Sequence, residues 1–311
     1  MNLRPWHREA WSRLQTRRQR GALPHALLLA GPAGLGKRDF LQLLVRGLLC
    51  QRPEDGLPCT TCRSCLLFAA GSHPDYVALG LGLRKDGVTR SEIVVDQIRD
   101  LSQRLSMSSQ FGGWQVASID PADVMNAAAA NALLKTLEEP APSTMLVLVA
   151  DAPWRLPATI RSRCQRIDFA IPPREESLAW LAGQGVADAA TALDAAFGNP
   201  GQALEWTADG SLKQRTEVRN DLKALAAGRG DAVDIAKRWQ ASAPAQYLWF
   251  AAQAVTDEAR ARATAGAPPL DSGLDDEGLD AWYGHANRTR EALRGPLRVD
   301  LLLLELLARW R

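Results

Sequence analysis

GPAGLGKR, residues 31–38, is the stretch that decides the fold of this 311-residue chain. It follows the apolar run ALLLA (26–30) and leads into RDFLQLLVRGLL (38–49), which has the composition of a helix. Glycines let the backbone curl so that its N–H groups converge on phosphate oxygens, and the lysine reaches the terminal phosphates. The pattern therefore predicts a nucleotide-binding loop between a strand and a helix. Its binding residues are Gly31, Gly34, Gly36 and Lys37.

Two substitutions at this site indicate that the loop has lost hydrolysis. Residue 38 is an arginine, where a phosphate-binding loop has a serine or threonine whose hydroxyl holds Mg²⁺. The run WQVASID (114–120) supplies Asp120 as a second ligand, but Pro121 follows where an adjacent carboxylate would activate the attacking water. We therefore predict a degenerate site that includes Asp120. It should bind ATP or ADP weakly or not at all and have no intrinsic ATPase activity.

Apolar runs alternate with helical segments through residues 1–170, which is typical of a parallel sheet covered by helices on both faces. The expected strands lack polar alternation, as strands buried on both faces do. They are 26–30, 75–79, 114–120 and 144–150. Beyond them the chain is helical, with no convincing strand. We predict an α/β P-loop core over 1–170, a helical lid over 171–208 and an all-α oligomerisation domain over 209–311.

Four of the five cysteines lie within sixteen residues and predict a metal site. Cys50, Cys59, Cys62 and Cys65 have the short spacings of a zinc knuckle, so we expect a zinc-binding module over 50–65. Four protein ligands leave no open coordination position, so the metal would be structural. Disulfides and an iron–sulfur cluster are the alternatives. Cys164 has no paired base in the sequence and is expected to be a small buried residue.

The composition argues against two function classes. With 37 basic and 35 acidic residues the net charge is +2, which disfavours binding nucleic acid through a dominant positive field. No apolar run approaches the ~20 residues that a membrane-spanning helix needs. The segment 1–20 lacks the apolar part of a secretory signal, and its apolar residues favour a plain surface helix. We expect a cytoplasmic protein.

Four motifs and the cysteine insert, in this order, resemble the AAA+ clamp-loader family of bacterial DNA polymerase III. The motifs are PHALLLAGPAGLGK (24–37), VASIDPADVMN (116–126), AAANALLKTLEEP (128–140) and LPATIRSRCQ (156–165). Within the family they are most similar to the delta prime branch. The resemblance covers about residues 20–205. It implies an AAA+ fold and a part in the ATP-dependent loading of a sliding clamp onto primed DNA.

The resemblance also implies roles for two further positions. Ser162-Arg163-Cys164 corresponds to the family's SRC motif, whose arginine points into the ATP site of a neighbouring subunit. Arg163 is therefore expected to act in trans as an arginine finger, with Arg161 as the less favoured alternative. The family's ATPases carry a lid arginine where this chain has Gly201, and that loss again indicates no hydrolysis.

Together these implications describe a non-hydrolysing stator subunit of the DNA polymerase III clamp loader, part of a DNA-directed DNA polymerase holoenzyme. The expected partners are the gamma or tau and delta subunits, and indirectly the sliding clamp and primer–template DNA, with no membrane. Two rivals stay open. One is a catalytically active, gamma- or tau-like ATPase subunit, and the other is a stand-alone zinc module that binds DNA.

Two adjacent acidic residues, Glu138 and Glu139, resemble a paired-carboxylate site. Consecutive residues on a helix point about 100° apart, so the two carboxylates would not share a substrate. The end of a helix before Pro140 explains them adequately.

Overall fold

Five parallel strands form one sheet in the computed structural model, which describes residues 3–83, 87–293 and 298–310. The strands are β1 Ala26–Ala30, β2 Tyr76–Leu79, β3 Gln115–Ile119, β4 Thr144–Ala150 and β5 Gln165–Asp168. Their order in the sheet is β2-β3-β4-β1-β5. Leu28 of β1 lies opposite Leu148 of β4, and Ala117 of β3 lies opposite Leu146. The predicted fold class is confirmed.

The helices fall into two groups along the chain. Those up to residue 208 are α1 Arg8–Gln19, α2 Lys37–Leu49, α3 Arg63–Ala69, α4 Val95–Leu105, α5 Ala127–Glu138, α6 Ala158–Arg161, α7 Arg174–Gly183, α8 Ala189–Ala195 and α9 Pro200–Ala208. Those beyond it are α10 Ser211–Ala226, α11 Ala232–Ala241, α12 Pro244–Ala263, α13 Asp276–Ala292 and α14 Val299–Ala308. Short 3-10 turns occupy Pro5–His7, Ala122–Val124 and Pro153–Arg155.

The sheet buries side chains on both of its faces, as the unalternating apolar runs require. On one face Leu28 and Leu148 pack with Leu133 of α5, and on the other Leu27 packs with Phe40 of α2. Each of these side chains is fully buried. Because burying one leucine side chain stabilises a fold by about 1.5–3 kcal/mol, these two layers hold the loops at the strand ends in place.

Gly31 shows why the loop after β1 needs glycine. Its φ of +148° lies in a region that other residues rarely adopt, and an added Cβ would lie 2.1 Å from the carbonyl oxygen of Phe169. Phe169 follows β5, and its N–H donates to the oxygen of Ala30 at 2.7 Å. The first residue of the loop therefore lies in close contact with the end of the neighbouring strand β5. At its other end Gly36, with φ +82°, precedes the first residue of α2.

The chain divides into two compact units, Met1–Leu204 and Glu205–Arg311. The second unit is helical in its described residues, and buried tryptophans hold its core together. Trp282 Nε1 donates to the oxygen of Leu306 at 3.0 Å, and Trp310 Nε1 donates to the oxygen of Leu222 at 2.9 Å. The three-part division at residues 170 and 208 stays a prediction. Among the described helices none combines the length and hydropathy needed to cross a bilayer.

Candidate functional site

Lys37 is held by oxygen atoms of the protein itself. Its Nζ donates to the carbonyl oxygens of Gly31 at 2.5 Å and Pro32 at 2.6 Å, and forms an ion pair with Asp151 Oδ1 at 2.6 Å. Its side chain is only 1% exposed. Burial lowers the pKa of this lysine, and Asp151 opposes that effect. Since an ammonium has three N–H bonds, three oxygen neighbours satisfy it without a phosphate.

Arg38 bridges two carboxylates at the carboxyl edge of the sheet. Its Nε and Nη2 donate to the two oxygens of Asp120 at 2.9 and 2.8 Å, and Nη2 also contacts Asp151 at 3.1 Å. Asp120 follows β3 and Asp151 follows β4, and these strands are neighbours. A hydrolysing P-loop site places Mg²⁺ beside such an acidic residue. Here a guanidinium supplies the positive charge.

The two carboxylates respond differently to this environment. Burial raises the pKa of Asp120 even though Arg38 opposes the shift. Burial also acts to raise the pKa of Asp151, but the bonds from Lys37 and Arg38 outweigh it and lower that pKa. Asp151 is therefore the ionised anchor that both cations share. Sequence reasoning missed Asp151, although a carboxylate directly after the apolar run 144–150 was an available signal.

Arg4 covers the loop from the N-terminal side. Its Nη1 donates to the oxygen of Gly34 at 2.6 Å, and its Nη2 donates to Asp39 Oδ2 at 2.9 Å. The guanidinium carbon also lies 5.1 Å from the ring centre of Trp180 on α7, within the range of a cation–π interaction. A Cβ added to Gly201 would lie 1.7 Å from the oxygen of Gly34 and 2.8 Å from Arg4 Nη1. The loop and Arg4 thus leave no room for a side chain at position 201.

Neighbouring side chains bind the other carbonyl groups of the loop. Trp6 Nε1 donates to the oxygen of Leu35 at 3.1 Å, and a ring nitrogen of His7 contacts the same oxygen at 2.7 Å. From the opposite side, Asn199 Nδ2 donates to the oxygen of Ala33 at 2.7 Å. Side chains from the N-terminal segment and from the segment before α9 therefore hold the loop between them.

The N-terminal segment contains the expected surface helix, α1, and the turn before it carries a buried histidine. His7 is only 2% exposed, and its burial lowers its pKa to about 4, so the ring is neutral at pH 7. Its ring packs edge-on against Phe40 and Phe169. Trp11 and Leu14 of α1 pack into the core with Phe40, as the apolar stripe of a surface helix does. The role of Arg4 was not predicted, because nothing in the local sequence distinguishes it from the other arginines of residues 1–20.

The four clustered cysteines come together in a geometry that fits a metal ion. Their sulfur atoms all lie within 4.8 Å of one another, and no described cysteine forms a disulfide. Cys50 Sγ and Cys62 Sγ are 3.9 Å apart. A tetrahedron with Zn–S bonds near ~2.3 Å has S···S edges of about 3.8 Å. The backbone N–H groups of Cys59 and Cys62 point at the sulfurs of Cys50 and Cys59, which suits thiolate ligands.

Arg163 lies away from the loop, at the junction of α5 and α6. Its side chain is 35% exposed and contacts Glu138 at the end of α5 and the carbonyl oxygen of Thr159 in α6. The structure therefore brings Lys37 and Asp120 together in one site and places Arg163 in another. Cys164 is buried, and burial raises the pKa of its thiol to about 12, which leaves it a poor nucleophile.

Comparisons with known proteins show which proteins this chain is similar to. The family model described as "DNA polymerase III, delta subunit" matches residues 6–173. The DNA polymerase III subunit delta' of Pseudomonas aeruginosa is 39% identical, over 79% of this chain and 74% of its own length. The Escherichia coli subunit delta' is 36% identical, over 79% and 73%. A solved gamma subunit-related protein from Thermotoga maritima, 15% identical, aligns over 97% of this chain and 99% of its own with a TM-score of 0.45.

Cys62→Ser tests the metal site. We expect a loss of most bound zinc and a melting temperature lower by ~5 °C or more, because three thiolates hold the metal less tightly and the site no longer closes. Elemental analysis and thermal unfolding measure both effects. Cys164→Ser is the control, since that sulfur lies outside the cluster, and it should keep the metal. Unmutated protein without zinc would contradict the assignment.

Arg38→Thr tests whether the arginine replaces the cation. We expect Mg²⁺ to change the affinity of the unmutated protein for a fluorescent ADP analogue by less than ~2-fold, and to tighten that of the variant ~10-fold, because the variant gains a hydroxyl ligand and loses a competing charge. Titrations with Mg²⁺ and with a chelator measure this. Arg38→Lys keeps the charge and should behave like the unmutated protein. Mg²⁺-dependent binding before mutation would exclude this role.

Arg4→Ala tests the cover of the loop. Loss of two hydrogen bonds and a cation–π contact should lower the free energy of unfolding of the first unit by about 1–3 kcal/mol. Urea unfolding followed by tryptophan fluorescence measures the change. Arg8→Ala removes an exposed arginine four residues away and should leave the midpoint within error. Equal midpoints for the two variants would show that Arg4 contributes nothing to holding the loop.

Proposed function

Because the chain belongs to the DNA polymerase III delta prime subunits, a family of replicative clamp-loader subunits, we propose that it is the non-hydrolysing stator of its clamp loader. Its family model covers residues 6–173, more than half of the chain. The proposed role has two parts, an inert site in this chain and an arginine that serves a neighbour.

The observation that carries the first part is the bridge from Arg38 to Asp120 and Asp151. A guanidinium keeps its charge at every physiological pH, so it competes permanently with Mg²⁺ for these carboxylates. Pro121 provides no carboxylate to activate a water molecule. These features support a subunit that does not hydrolyse ATP. They disfavour the rival reading as a gamma- or tau-like ATPase.

The way the loop is held supports a stator. Asn199, in the predicted lid segment, binds the P-loop directly, and Arg4 contacts both the loop and Trp180 of that segment. Both residues bond to carbonyl oxygens of the loop and need no ligand. The relation between the P-loop and the segment that carries Asn199 should therefore not change through cycles of ATP binding in other subunits.

Arg163 supports the second part. Its guanidinium is partly exposed on a segment outside this chain's own P-loop site, which suits a contact with a neighbouring subunit. A guanidinium binds the γ-phosphate in a charge-assisted, bidentate way, and an arginine finger supplied in trans is worth ~10³–10⁵ in rate in well-studied GTPases. The neighbour would be a gamma or tau subunit, with delta elsewhere in the assembly and the sliding clamp and primed DNA as indirect partners.

The cysteine cluster completes the proposal as a structural zinc site. All four ligands come from one short segment, and four thiolates leave no coordination position for a substrate. A zinc module that binds DNA alone is the less favoured reading, because the net charge of the chain is only +2.

The test uses the chain alone and the reconstituted clamp loader. Alone, with ATP and Mg²⁺, the chain should show no steady turnover. In the complex, Arg163→Ala should slow hydrolysis at the site it serves by ~10³-fold, so the fast phase of that site disappears from a single-turnover time course. Arg161→Ala removes a nearby exposed arginine and should leave the time course unchanged. Steady ATP turnover by the isolated chain would contradict the stator proposal. An unchanged time course for Arg163→Ala would exclude Arg163 as the arginine finger.

A further inference from the structure

The side chain of Glu138 contacts Arg163 through one carboxylate oxygen atom. Arg163 Nε donates to Glu138 Oε1 at 2.9 Å, and Nη2 approaches the same oxygen at 2.6 Å. On the other side of the guanidinium, Nη1 donates to the carbonyl oxygen of Thr159 at 2.9 Å. The planar group is therefore fixed along two of its edges by residues of this chain.

The number of donors shows what these contacts leave available. A guanidinium carries five N–H donors, one on Nε and two on each terminal nitrogen. Glu138 accepts a hydrogen bond from Nε and forms an ion pair with Nη2, and Thr159 accepts one hydrogen bond from Nη1. One N–H remains on each terminal nitrogen. Two donors on adjacent nitrogens form the fork that binds two oxygens of one phosphate or carboxylate.

Glu138 and Arg163 are each adjacent to residues that are buried in the core. Glu138 follows the buried Leu137 on α5, and the N-cap residue of that helix, Asn126, accepts from the N–H of Ala129. Arg163 precedes the buried Cys164 and follows α6, whose Ile160 is fully buried. The core therefore sets the position of both backbones, and the ion pair sets the direction of the guanidinium.

Stability does not explain the pair. The Arg163 and Glu138 side chains are 35% and 51% exposed, and ion pairs that exposed contribute little to folding. What the pair does change is the freedom of Arg163, a long side chain that would otherwise sample many rotamers in water. Preorganisation of a charged group matters where it must meet a developing charge.

We propose that Glu138 is a positioning residue for the arginine finger: it holds the Arg163 guanidinium with its two free donors facing outward, toward the phosphate of a neighbouring subunit's ATP. This inference rests on the proposed finger function. Glu138 touches neither nucleotide nor reacting atoms and acts only through Arg163. Because both contacts use a single oxygen, a glutamine amide oxygen can replace them, whereas alanine cannot.

The experiment uses the reconstituted clamp loader with five variants of this chain: Glu138→Ala, Glu138→Gln, Glu139→Ala, Arg163→Ala and the double variant Glu138→Ala/Arg163→Ala. We expect Glu138→Ala to lower kcat for ATP hydrolysis at the served site ~10-fold with KM within ~2-fold, because misplacing a group affects the transition state more than substrate binding. Glu138→Gln should recover most of that loss. Glu139→Ala, which alters the adjacent exposed carboxylate, should match the unmutated protein.

The double variant separates positioning from other effects. If Glu138 acts only through Arg163, adding Glu138→Ala to Arg163→Ala should cause no further loss. An additional loss would overturn the inference. Unchanged or faster hydrolysis with Glu138→Ala would also overturn it. The same holds if the Glu138→Gln variant, with unchanged circular dichroism and thermal unfolding, hydrolyses ATP as slowly as the Glu138→Ala variant. If Arg163→Ala is slow and Glu138→Ala is not, only the positioning role fails. If Arg163→Ala is also fast, the finger itself fails and positioning fails with it.

Discussion

The ion pairs from Arg38 to Asp120 and Asp151 balance the negative charge of the P-loop site, and the rest of the site is arranged around them. A parallel sheet places the carboxyl ends of neighbouring strands at one edge, so two acidic residues after β3 and β4 must lie close together. Two nearby carboxylates repel each other unless a cation stands between them. Here the cation is covalently part of the chain and cannot be exchanged, whereas Mg²⁺ arrives and leaves with nucleotide.

Other charged side chains of the site are also paired with groups of the same chain. Lys37 finds its oxygens in Gly31, Pro32 and Asp151, and Arg4 occupies the space that faces Gly201. The loop lysine and the carbonyl oxygens of residues 31–35 thus contact groups of this chain. These contacts hold the loop in place without a ligand. Arg163, which we propose as an arginine finger, lies outside this site and donates to Glu138.

Local patterns predicted much of the fold. The runs at 26–30 and 144–150 have the observed bounds, and the helical segment 38–49 matches α2, which begins one residue earlier at Lys37. The strand β5 was missed. Its sequence QRID is polar at three of four positions, and only Ile167 is buried, because β5 stands at the edge of the sheet beside β1. An edge strand of this kind forms by pairing with its neighbour, and its own composition carries no signal of that.

The sequence by itself determined the phosphate-loop scaffold, the loss of its hydroxyl and carboxylate, the cysteine cluster and the arginine motif, because each is written in residues close along the chain. Only the tertiary structure decided which residues satisfy them. Arg38 reaches Asp151 across 113 residues, Arg4 reaches Gly34 across 30, and Arg163 reaches Glu138 across 25. No periodicity links positions so far apart. The packing of strands and helices brings them together, so their pairing follows from the core and is absent from any local pattern.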